Sequence, residues 1–80
     1  MEFQPGFYVI QERRHNTRGR FHTDYWLQNH FQHVTEAEAR AAQLNEYASN
    51  YINNDTYRET YHVVYCHSEQ ELDEALHLKK

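Results

Sequence analysis

The chain holds one cysteine, Cys66, one proline, Pro5, and two glycines, Gly6 and Gly19, in 80 residues. Each scarcity excludes something. A lone cysteine forms no internal disulfide and builds no zinc knuckle, so neither staple helps this chain to fold, and a reducing cytoplasm is the expected compartment. With so little glycine there is no phosphate-cradling loop, and no Walker, dinucleotide-binding or Gly-x-Ser-x-Gly signature is present. No apolar run approaches the ~20 residues that span a bilayer, and Met1-Glu2-Phe3-Gln4-Pro5 lacks the charged and apolar regions of a signal peptide. Neither membrane insertion nor export is expected.

Aromatic residues are abundant: seven Tyr, four Phe and one Trp. With 39% apolar and 25% charged residues the composition is that of a folded chain. Its length predicts one domain, residues 1–80, with a thin core. The net charge is −4 with histidines neutral, yet half of the eight Lys and Arg residues lie between Arg13 and Arg20. Arg13, Arg14, Arg18 and Arg20 therefore form a basic tip on an acidic body. Seven histidines make charge-driven binding pH-sensitive near their unperturbed pKa of ~6.5.

The pattern predicts an α+β fold, β-β-α-β, in which a three-stranded antiparallel sheet packs one face on a single helix. A short C-terminal helix follows. Strand one is read over Phe7 to Arg14, after the Pro5-Gly6 breaker, and the polar stretch His15 to Gly19 as a hairpin loop. Strand two, Arg20 to Phe31, alternates: Phe21, Thr23, Tyr25, Leu27 and Phe31 point one way, and His22, Asp24, Trp26, Gln28 and His30 the other. The odd set is expected in the core. Thr35-Glu36-Ala37-Glu38 has the spacing of a capping box and starts the helix, whose seam is Ala37, Ala41, Leu44, Ala48 and Tyr51. The helix fades over Asn50 to Asp55, a run favouring turns. Strand three, Tyr57 to Cys66, turns Tyr61, Val63 and Tyr65 to the helix. Ser68-Glu69-Gln70-Glu71 is a second capping box, with Leu72, Ala75 and Leu76 lining the terminal helix.

On this reading the second sheet face carries Tyr8, Ile10, His22, Trp26, His62 and Val64. A solvated antiparallel face usually alternates to polar residues. Either the terminal helix, a partner or a second copy is therefore expected to cover it.

Chemistry is hard to find. His30-x-x-His33, His62-x-x-x-Cys66-His67 and His22-x-Asp24 match no metal template, so no metal and no cofactor are expected. Cys66 and His67, as strand neighbours, point to opposite faces and share no proton. His15-Asn16 resembles a fragment of a His-Asn-His nuclease signature, but its third element is missing. No catalytic residue and no enzymatic activity are assigned.

The arginine cluster suits a carboxylate-rich protein surface or phosphates, since guanidinium groups contact either in bidentate fashion; its bland alternative is a solvated hairpin tip. Overall negative charge argues against nucleic acid as the main partner. Trp, Tyr and Arg dominate protein-binding hot spots. The candidate partner-binding set is Tyr8, Arg13, Arg14, Arg18, Arg20, His22, Trp26 and His62. A homodimer burying Tyr8, Ile10 and Trp26 across a two-fold axis is a further option.

From Phe21 to Val64 the organisation consists of an aromatic strand, then Val34-Thr35-Glu36-Ala37-Glu38-Ala39-Arg40 opening an alanine-rich helix, then a Tyr- and Val-rich strand. It resembles small phage and prophage proteins that bind and disable host machinery, such as anti-CRISPR proteins and phage inhibitors of bacterial RNA polymerase. The resemblance implies a stoichiometric, cofactor-free binder of a host protein or nucleoprotein complex in the host cytoplasm. It assigns no individual residue.

Overall fold

The structure, a computed structural model, describes residues 3–77. Its elements run β1 (Gly6–Thr17), β2 (Arg20–Phe31), α1 (Val34–Tyr51), β3 (Tyr57–Cys66) and α2 (Glu69–His77). The strands form one antiparallel sheet in the order β2-β1-β3. The expected α+β architecture is therefore present, with β1 in the centre.

The hairpin loop is shorter than the polar stretch suggests. Strand β1 continues through His15, Asn16 and Thr17, and only Arg18 and Gly19 turn, at φ 54° and 80°. Two consecutive positive φ values are what a two-residue turn needs to follow the right-handed twist of its strands. Gly19 adopts one at no cost, whereas Arg18 is held there against the preference of its side chain.

At the other end of β1, Gly6 is buried with φ 155°. A Cβ there would meet the Phe31 carbonyl oxygen at 2.8 Å and the His30 ring at 2.5 Å, so only glycine lets the two strands close.

The strict alternation expected of β2 is broken once. Val9 pairs with Asn29 but Ile10 pairs with Leu27, leaving Gln28 as an extra residue in a β-bulge. One extra residue exchanges the faces. Phe31 therefore packs with Val9, Phe7 and Tyr61 beneath α1, while Tyr25 joins Tyr8 and Ile10 on the opposite side. Phe21, expected in the core, is 59% exposed. The single odd face read from the sequence is corrected to two half-faces.

Two thin cores result, one on each side of the sheet. Beneath α1 lie Val9, Ala37, Ala41, Ala48 and Tyr61, with Leu44, Ile52 and Val63 at the margin. The small alanines bring α1 close to β3, along which it mainly runs. Ile52, just past the helix, closes the seam where Tyr51 was expected; Tyr51 is 75% exposed. On the other side Tyr8, Ile10 and Cys66 are covered by Leu72 and Leu76 of α2.

The two capping boxes fare differently. Helix α1 starts two residues early: its N-cap is His33, not Thr35, and makes no side-chain cap bond, and the Ala37 amide donates to the His33 carbonyl at 3.2 Å. Thr35 is then already helical, and its hydroxyl has no capping role. In α2 the box forms, because the Glu71 amide donates to Ser68 Oγ at 3.3 Å and the Glu71 carboxylate accepts from the Ser68 and His67 amides. Among the described residues no helix is long and apolar enough to cross a membrane.

Candidate protein-binding surface on the hairpin

Twelve-residue strands outreach both helices, but β3 flanks β1 as far as His15 and Thr56 accepts from the Asn16 amide at 2.7 Å, so only the turn, from Thr17 to Arg20, stands clear of the third strand. The side chains of the β1–β2 hairpin divide by register. Gln11 donates to the Tyr61 hydroxyl at 3.0 Å and so lies on the α1 side; Trp26 is its cross-strand partner. Arg13 with Asp24, His15 with His22 and Thr17 with Arg20 continue along that side. Arg14, Thr23 and Phe21 lie on the other side, with Tyr25.

Each side of the tip carries one stacked pair. The Arg13 guanidinium lies 4.9 Å from the centre of the Trp26 ring, and that of Arg14 lies 4.6 Å from the centre of Phe21. A guanidinium over a ring has its rotamers limited by the attraction; Arg14 is exposed, whereas Arg13 is half-buried with its Nε enclosed. Trp26 is 52% exposed. Among the described residues the ion pairs are His15–Asp24 at 4.0 Å and His62–Glu12 at 3.2 Å, and none of the four tip arginines is paired with a carboxylate. The outermost, Arg18, is exposed at the turn.

The structure thus divides the candidate residues. Arg13, Arg20, His22 and Trp26 share one face, Arg14 lies behind them, and Arg18 caps the tip. Two leave the set. Tyr8 is only 5% exposed beneath α2, its hydroxyl donating to the Gln4 carbonyl, so it belongs to the core and not to a contact surface. His62 is exposed but sits on the α2 side, tied to Glu12. A dimer face made of Tyr8, Ile10 and Trp26 is also corrected: Ile10 is 3% exposed, and Trp26 is on the opposite side of the sheet. The terminal helix covers the Tyr8–Ile10 end of the second face. The bulge, which no composition signal announces, is what moved Trp26 and His22 to the α1 side.

Residues outside the predicted set join the surface. Phe21 and Leu27 were read as core and stand out from β2. Phe21 lies beyond the Tyr8–Ile10 end that the nine residues of α2 cover, and Leu27, opposite Ile10 on the outer strand, lines the open groove beside Leu72.

Elsewhere the chemistry is quiet. Burial, with the nearby Glu71 carboxylate adding to it, pushes the Cys66 thiol up, away from the thiolate that nucleophilic attack requires. Burial likewise raises the phenols of Tyr8, Tyr25, Tyr57 and Tyr61, with Glu59 adding to the last two. His30 bonds the Pro5 carbonyl at 3.3 Å and packs on Tyr8, and His67 lies beside the Tyr65 ring. Among the described residues no three His, Cys, Asp or Glu side chains gather as a metal-binding group would. An open groove of about 410 Å³ between the N-terminal segment, β2 and α2 is lined mainly by Phe3, Tyr8, Leu27 and Leu72. Comparison with protein-family models, curated proteins and solved structures finds no match.

Proposed function

We propose that this chain is a stoichiometric binding protein, not an enzyme, which occludes a site on a larger host protein or nucleoprotein complex in the cytoplasm. The mode of action is that of small phage inhibitors, anti-CRISPR proteins among them. The observation that carries the reading is the half-exposed Trp26 ring with the Arg13 guanidinium over it, near a hairpin turn where, among the described residues, none of the arginines has a carboxylate partner. Exposed Trp and Arg are the side chains that most often dominate protein interfaces. Trp26 enters a pocket, and Arg13, Arg18 and Arg20 steer the tip toward an acidic rim.

The test is affinity capture from a bacterial lysate with the wild-type chain beside Trp26→Ala. A protein retained by the first and lost by the second supports the reading; equal retention by both overturns it.

Direct nucleic-acid binding is the second reading, favoured by the same stacks, since bases stack on exposed aromatic and guanidinium planes. The acidic body opposes it. Phosphate binding weakens steeply with salt, whereas a hot-spot protein interface weakens modestly, so a salt titration of the captured complex separates the two.

A further inference from the structure

The two edges of the sheet are finished differently. On β3 the side-chain amides of α1 and its C-terminal turn take the place of a neighbouring strand. Asn45 accepts from the Tyr61 amide at 2.7 Å and donates to the Tyr61 carbonyl at 3.0 Å. Asn53 does the same for Glu59, at 2.7 and 3.3 Å. Among the described residues no such plug lies on β2. The two-residue turn makes Thr17 and Arg20 a hydrogen-bonded pair, so Arg20, His22, Asp24 and Trp26 turn their backbone groups toward β1. Phe21, Thr23, Tyr25 and Leu27 then turn theirs outward, to no partner among the described residues. The usual protections of an open edge are sparse here: between turn and bulge there is no proline and no lysine.

We infer that this edge pairs with the same edge of a second copy, giving a two-fold, six-stranded antiparallel sheet. The register follows from geometry and charge. Pairing across the edge must set outward-turned residues against outward-turned residues, and the regular stretch runs only from Arg20 to Leu27. Two registers use nearly all of it. One sets Asp24 against Asp24 of the second copy, like charges directly opposed. The other centres on Thr23 and sets Asp24 against His22 of the second copy, Trp26 against Arg20 of the second copy, and Phe21 against Tyr25 of the second copy. Each of these pairs occurs twice by symmetry and each is attractive. The strand is therefore complementary to itself in the Thr23-centred register, and the second copy is the occupant.

The dimer does not depend on the proposed target. A monomeric chain would overturn the dimer and leave target binding standing, and loss of target capture would do the reverse.

Sedimentation across the micromolar range tests it, with Thr23→Pro as the variant. Proline is tolerated on an edge whose N–H faces solvent, and it removes the central donor that a second strand needs. The expected result is twice the chain mass for the wild type and the single chain mass for Thr23→Pro with an unchanged circular dichroism spectrum. A monomeric wild type, a dimer that survives Thr23→Pro, or a single chain that pairs only with an unrelated strand peptide would each overturn the inference. Should Thr23→Pro fail to fold, Thr23→Cys decides. The hydrogen-bonded pair places its Cα atoms ~5.5 Å apart, within reach of a disulfide, so mild oxidation is expected to give a covalent dimer. Absence of that dimer, or faster cross-linking of Asp24→Cys, would overturn the register.

Discussion

Arg18 holds a left-handed backbone conformation, φ 54°, that costs a residue with a full side chain roughly 1–2 kcal/mol. Asparagine tolerates the same geometry and is the usual first residue of such a turn. No carboxylate among the described residues pairs with this exposed arginine, so the strain has no compensating ion pair there. Arg18→Asn is expected to raise the unfolding free energy by about 0.5–1 kcal/mol, read as a higher urea midpoint at unchanged m-value, and to weaken target capture. A lower midpoint would contradict the strain. The buried acids give a second expectation at this scale. Burial favours the protonated Cys66, Tyr8 and Tyr61 in the folded chain. A raised folded pKa means that their share of stability is complete below the unperturbed values, about 9 for the thiol and about 10 for the phenols, and is lost as pH rises from those values through the raised folded ones. The urea midpoint should fall over that window; a flat or rising midpoint would contradict the burial of these groups.

At the scale of elements, the edge of β3 is where a single side chain does most. Asn45 satisfies both backbone groups of Tyr61, a residue at the centre of the α1 core. Asn45→Ala leaves them unpaired, at a cost of about 1–3 kcal/mol. Thermal unfolding should report that loss, and hydrogen exchange at the Tyr61 amide should accelerate; protection equal to the wild type would show that the plug is not made. How far the elements were legible in the sequence depended on the range of the cause. Strands β2 and β3 and the cap of α2 were legible because each is written in local signals: alternation, β-branched and aromatic types, and Ser68 three residues before Glu71. The α1 seam was legible as far as Ala48 for the same reason. What was not legible had non-local causes. The bulge at Gln28 leaves Phe31 under α1 beside the tightly packed Gly6, and α1 starts at Val34 after a two-residue link from β2. Face assignments resting on unbroken alternation therefore failed at Phe21 and Trp26, although the residue types that mark a contact surface had been found.

For the whole molecule, the hairpin sets the shape: the described residues span 39 × 27 × 17 Å, with the long dimension matching twelve residues of strand at ~3.3 Å each. Helix α2 covers the end of the sheet away from the turn, α1 runs along β3 until its C-terminal turn meets Glu59 beside Arg13, and the turn itself is left uncovered. Opposed charge at the two ends orients the molecule in the field of an acidic target before contact, an effect on association rate that salt screens. Affinity itself rests on the ring that is buried on contact. The central claim is that Trp26, and not exposed aromatic surface in general, carries binding. Tyr51, more exposed than Trp26 but placed on α1, is the matched control. The decisive measurement is the affinity of the captured target for the wild type, Trp26→Ala and Tyr51→Ala side by side. The account predicts a loss of about 30-fold or more for Trp26→Ala, the weight of a hot-spot residue, and near wild-type affinity for Tyr51→Ala. Equal losses, or a larger loss at Tyr51, would contradict it.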